Sequence, residues 1–161
     1  MGGTPDAAPE DLIPPSHRDF TLRIRRRIAS DESRIPEAVR ETVDALSGVE
    51  DLGLSSPDLE IVLFEALANA VKHGNRSRPD RHVFFRVYGA PGWGAVIFVR
   101  DEGGGFEPDL IPDPRGERGR MRVHGRGVFL MRQLMDHVHF RRGGREVVLV
   151  RTVRQADTQR V

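Results

Sequence analysis

Four polar side chains, Glu65, Asn69, Lys72 and His73, interrupt the otherwise apolar, alanine-rich stretch FEALANAVKHGN at residues 64–75. On a helix of about 3.6 residues per turn, Glu65 and Asn69 lie one turn apart and nearly in line, with Lys72 beside Glu65 and His73 beside Asn69. A carboxylate and a carboxamide so placed can take a proton from a nucleophile and hold a hard cation through oxygen. The same spacing also describes a solvated stripe with a Glu/Lys neighbour pair, so it does not identify a reaction by itself. Leu59, Leu63, Ala66, Leu67 and Ala70 fall on the opposite arc and are expected to pack on a sheet. Ala66, Ala68 and Ala70 are expected to keep the helix surface low and leave room for a ligand.

Two glycine clusters follow. DEGGGF sets Asp101 just ahead of Gly103, Gly104 and Gly105. Such a backbone can turn sharply and come close to a flat ligand, and the carboxylate can accept a hydrogen bond from an exocyclic amine. HGRGVFLM sets Gly125 and Gly127 at the start of a helical pattern, where free N–H groups favour anions. Arg120, Arg122 and Arg126 add positive charge nearby. Neither cluster has the spacing of the phosphate loop Gly-x4-Gly-Lys-Ser/Thr or of the dinucleotide-binding fingerprint, so a nucleotide here needs another architecture.

These residues must be positioned by the elements around them. FTLRIRRRI alternates Phe20, Leu22, Ile24 and Ile28 against Arg23, Arg25 and Arg27, the period of a strand with one buried face. The arginines form either a solvated strand face or a docking surface for an acidic partner. PEAVRETVDALSG reads as a helix with Pro36 in its first turn, Val39, Val43 and Leu46 inward and Gly48 closing it. The polar stripe belongs to a second helix, with Ser56 as N-cap before Pro57 and Gly74 at its end. HVFFRVYG and WGAVIFVR make a hairpin through GAPGWG. Residues 107–124 show no sustained period, as a functional loop would. GVFLMRQLMDHV predicts a third helix with Val128, Met131, Leu134, Met135 and Val138 inward, and REVVLVRTV a last strand.

The chain of 161 residues is long enough for one domain with a real core, expected over 17–154 with loose tails at 1–16 and 155–161. It contains no cysteine, which excludes disulfides and thiolate metal sites. No apolar run approaches a membrane span, and the amino terminus lacks the features of a secretory signal; a cytoplasmic location is expected. The 25 basic and 24 acidic groups leave a formal charge of +1, which gives little general attraction for nucleic acid. Arginine supplies nearly all the positive charge, Lys72 being the single lysine.

Taken in order, EALANAVKHGN, the hairpin, DEGGGF, the long loop and GRGVFLM resemble the N, G1 and G2 boxes of the GHKL (Bergerat) ATP-binding superfamily. The short chain looks most like the anti-sigma-factor serine kinases of the RsbW and SpoIIAB type. The resemblance implies an α+β fold, a two-layer α/β sandwich whose mixed, mostly antiparallel sheet is covered by helices on one face. It implies ATP bound with Mg²⁺, Glu65 as general base and Asn69 as metal ligand. Asp101 would read the adenine amine, Gly103 and Gly105 would shape the adenine pocket, and the backbone at Gly125 and Gly127 would surround the phosphates. Lys72, His73, Arg126 and Val128 are placed in the same nucleotide site. The implied partners are an anti-anti-sigma protein that offers a serine and a sigma factor that is sequestered, with a homodimer as the assembly. Where that family has a Gly-Thr pair before its last strand, this chain has Arg145 and Glu146. A non-catalytic partner-binding module and a detached histidine-kinase ATPase domain are the alternatives. A nucleic-acid binder would need a clustered basic face, whereas the arginines are interspersed with acids along the chain.

Overall fold

A computed structural model of the chain describes residues 20–105 and 124–153, His124 by its backbone alone. The tails expected at 1–16 and 155–161, and most of the long loop with Arg120 and Arg122, lie outside the described residues. In chain order the elements are β1 (Leu22–Ala29), α1 (Ile35–Leu46), α2 (Ser56–Asn69), β2 (His82–Ala90), β3 (Gly94–Arg100), α3 (His124–Leu134), β4 (His137–Arg141) and β5 (Glu146–Thr152). A short 3₁₀ turn at Glu32–Arg34 leads into α1, and a π-helical turn at Ala70–Gly74 ends α2.

The strands form one sheet in the order β1-β2-β3-β5-β4, and every pairing among the described residues is antiparallel. The sheet expected as mixed and mostly antiparallel is thus antiparallel throughout this part. Ile24, Val83, Phe85, Val87, Ile97 and Leu149 share one face and form the core with the helices. The α+β two-layer architecture expected from the boxes is the one observed. No helix among the described residues is long and apolar enough to cross a membrane.

At the centre of the helical layer, α2 packs against both α1 and α3. Leu59, Val62, Leu63 and Leu67 are fully or almost fully buried. Each contributes about 1.5–3 kcal/mol by burial, so α2 is held by its apolar side and does not need Glu65 or Asn69 for packing. Ala66, Ala68 and Ala70 are buried as well. Their small side chains let neighbouring elements approach closely; they do not leave the open room expected of them. The N-cap is Ser55, one residue before the expected Ser56: its hydroxyl accepts from the Asp58 N–H at 3.2 Å.

The third helix is shorter than its periodicity predicts. It ends at Leu134, and Val138 lies on β4. Val138 satisfies both readings, since it follows Met131 and Leu134 at helical spacing and alternates with Phe140 at strand spacing. Tertiary bonds decide the outcome. The Asp136 N–H donates to the Val150 carbonyl at 2.9 Å, while its carboxylate accepts from the Thr152 N–H at 2.9 Å. β4 then pairs with β5 along its whole length, through a turn in which Arg142, Gly143 and Gly144 take positive φ.

Candidate functional site

Three backbone segments meet beside α2. The first contact is at α3. A methyl group on Gly127 would lie 2.5 Å from Glu65 Oε2 and 3.4 Å from Asn69 Nδ2. A real Cβ does not come that close to a carboxylate oxygen, so any larger residue here would push the Glu65 side chain out of its present position. Both side chains therefore turn toward the glycine-rich start of α3, where first-turn N–H groups have no partner within the helix. Gly125, Gly127 and Val128 are buried there, and Arg126 is exposed.

The second contact is at the end of α2. There the helix widens into the π turn, closed by a hydrogen bond from the Asn75 N–H to the Ala70 carbonyl at 2.8 Å. Such widenings are frequent at functional sites because they re-aim the residues that follow. A side chain on Gly74 would collide with the Asp101 carboxylate, and one on Gly103 with the Gly74 carbonyl. The turn DEGGGF is thereby seated on the end of α2.

Asp101 is buried, 8% exposed. Its backbone N–H donates to the Arg145 carbonyl at 3.0 Å, and its Oδ1 accepts from the Gly103 N–H at 2.7 Å. Burial pushes its carboxyl above the ordinary aspartate range; the Gly103 hydrogen bond and the Arg145 charge oppose that and do not overcome it. A desolvated acceptor beside glycine backbone suits a ligand that brings its own donor. Gly105, at φ 79°, sits under the β4–β5 turn, where a side chain would meet the Gly143 carbonyl.

Asn75 is a site residue that the sequence reading leaves without a role. It is completely buried. Its Nδ2 donates to the His82 carbonyl at 2.8 Å, and its Oδ1 accepts from the Glu102 N–H at 2.8 Å. One carboxamide thus joins the end of α2, the start of β2 and the glycine turn after β3. The available signal was a polar residue directly after the glycine that ends a core helix.

The structure brings Glu65, Asn69 and Gly127 together, and Asp101 together with Gly103 and the end of α2. Lys72 has a different neighbour: its ammonium pairs with Glu32 at 3.0 Å, both half exposed. His73 is exposed. Of the two residues at the Gly-Thr position, Arg145 lies on the Asp101 side, within 3.2 Å of a methyl placed on Gly105. Glu146 turns to the other face of the sheet, where Arg141 and Arg142 reach it at 2.9 and 3.4 Å.

Fold and site define the chain as a GHKL-type, ATP-binding module. It belongs to the histidine kinase-like ATPase domain family, whose profile matches residues 21–152. No curated protein matches the chain.

The site's donor set fits the nucleotide this family implies. A cradle that a Cβ would fill lies between Gly127 and Glu65, and a desolvated carboxylate lies just beyond the same end of α2, against Gly74. Asn69 would offer a carboxamide oxygen to Mg²⁺, and the first turn of α3 would offer backbone donors to phosphate.

Proposed function

We propose that the chain is an ATP-dependent protein serine kinase that phosphorylates a serine of an anti-anti-sigma protein and sequesters a sigma factor. The observation that carries this reading is the juxtaposition of Glu65, Asn69 and Gly127. A carboxylate not needed for packing stands where the backbone is shaped for phosphate. When bound, ATP supplies the phosphoryl group, and Mg²⁺ neutralises charge on it. In this reading Glu65 accepts the proton of the acceptor serine hydroxyl, and Asn69 holds the metal. The N–H groups of Gly125 and Gly127 face the phosphates, and Asp101 accepts from the adenine amine. Phosphoryl transfer is largely positioning and charge stabilisation, so this small set of groups is sufficient.

The test is incubation of the protein with labelled ATP, Mg²⁺ and candidate anti-anti-sigma proteins from the same genome. Phosphoserine on one of them is the expected result. Bound ATP with no candidate ever labelled would overturn the kinase reading.

Arg145 favours one alternative, a partner-binding module without transfer. Its side chain stands beside Asp101 and Gly105, in the place of the glycine of the related kinases' Gly-Thr pair, while Glu146 takes the place of the threonine and turns to the other face of the sheet. Calorimetry separates the two: no measurable ATP affinity together with tight partner binding selects the non-catalytic module.

A further inference from the structure

The sheet has a second face, turned away from the helices. The cross-strand register places Arg23, Arg25 and Arg27 of β1 on it, opposite Tyr88, Arg86 and Phe84 of β2. Those in turn face Val96, Phe98 and Arg100 of β3. Arg100 is opposite Glu146 of β5, and Glu146 is opposite Arg141 of β4. Residues scattered over more than a hundred positions of sequence thus form one surface with six guanidinium groups. Phe20 and Trp93 cover one end, where their rings pack edge to face at 5.3 Å.

Among the described residues, few carboxylates stand against Arg25, Arg86 and Arg100. Glu146 is its one carboxylate on the strands; it is 3% exposed and already engaged by Arg86, Arg141 and Arg142. No carboxylate among the described residues lies within ion-pair distance of Arg25 or Arg100. Arg25 and Arg86 stand directly opposite each other, a like-charge pairing that costs stability unless an anion lies over it. The sum of +1 for the chain does not reveal this face, because a total carries no position.

We propose that this face, turned away from the described helices, binds an acidic, extended segment of a partner protein. Alternate residues of an extended peptide repeat at about 6.8 Å, the same repeat as Arg23, Arg25 and Arg27 along β1. Guanidinium forks match carboxylates in bidentate geometry. A nucleic acid fits less well, because the rings that would stack its bases are taken. Arg27 and Arg100 lie over Phe84 at 5.8 and 5.2 Å, and Arg86 and Arg141 over Phe98 at 4.7 and 5.6 Å. The inference does not rest on the kinase reading, since no residue of the nucleotide site takes part.

The experiment uses the full chain and a fluorescein-labelled peptide alternating Glu and Ser, read by anisotropy at low and high salt. A Gln/Ser peptide and a single-stranded oligonucleotide of equal charge serve as comparisons. The acidic peptide should bind most tightly, and the R25E/R100E double variant should bind it about tenfold more weakly or worse. R40E, on exposed α1, should leave binding unchanged, and unaltered melting shows that the double variant folds. Equal loss with R40E, no peptide binding, or tighter binding of the oligonucleotide would each overturn the proposal. So would sedimentation in which R25E/R100E merely converts a dimer into monomers, which would assign the face to a second copy.

Discussion

Replacing Glu65 by Gln keeps the shape that fits against Gly127 and removes the group that can take a proton. If Glu65 is a base, Glu65→Gln lowers phosphoryl transfer by about 10²–10⁴-fold with ATP affinity retained, as read in single-turnover and equilibrium-binding assays. A merely structural carboxylate would change both together or neither. Asp101 gives a prediction with a sign. Its pKa in the folded protein lies above the unfolded value, so burial costs nothing where both states are protonated, below the usual aspartate pKa. The cost grows as pH rises from the unfolded pKa through the folded one and is complete above it. Asp101→Asn should therefore raise the melting temperature at neutral pH and lose that advantage as the solution is acidified, while weakening ATP binding. Thermal melts across pH, alongside nucleotide titrations, check both effects. At this scale the sequence singled out Glu65, Asn69, Asp101 and Gly127 as candidates, and the structure sets Glu65 and Asn69 against Gly127 and seats Asp101 at the end of α2. Lys72 did not follow, because helical spacing put it beside Glu65, whereas its ammonium pairs with Glu32 of a turn far back in the chain. Spacing on one helix carries no information about what packs across from it.

Among the elements, the π turn at Ala70–Gly74 and Asn75 behind it set the angle at which α2 meets the glycine turn. Asn75→Ala would strip the partners from the His82 carbonyl and the Glu102 N–H. About 1–3 kcal/mol is lost for each polar group left buried and unsatisfied, measurable by denaturant unfolding. ATP affinity should fall with it, since the turn carrying Asp101 loses its tether to α2. β4 shows why such elements resist reading from sequence. Residues 128–138 satisfy a helical period through Val138, yet the chain leaves the helix at Leu134 because Asp136 is captured by Val150 and Thr152. Those bonds cost the helix only its last turn, and they add a five-residue strand to the sheet. The alternation of Val138 and Phe140 was the available signal, masked by a longer pattern of the other period.

Across the whole molecule the sheet is two surfaces with opposite tasks. One packs against three helices and carries the nucleotide-type site at its edge; the other holds a second apolar cluster, in which Val96, Val148 and Val150 are fully buried, beside its arginines and the buried Glu146. Glu146→Gln should cost about 3 kcal/mol, near the lower end for breaking a buried ion pair because its arginines keep part of their surface in water. Guanidinium unfolding should report that loss, with ATP binding left unchanged because Glu146 faces away from Asp101. From the sequence alone came the fold class, the three boxes and the choice of Glu65, Asn69 and Asp101 as candidate site residues. These rest on local period, capping and turn residues, which short stretches of chain carry in themselves. Only tertiary structure decided that Asn75 is a three-way tie, that Lys72 joins Glu32, and that arginines spread through the chain form one basic face. Each depends on register and packing between distant segments, and a charge read along the chain has no side until the sheet gives it one.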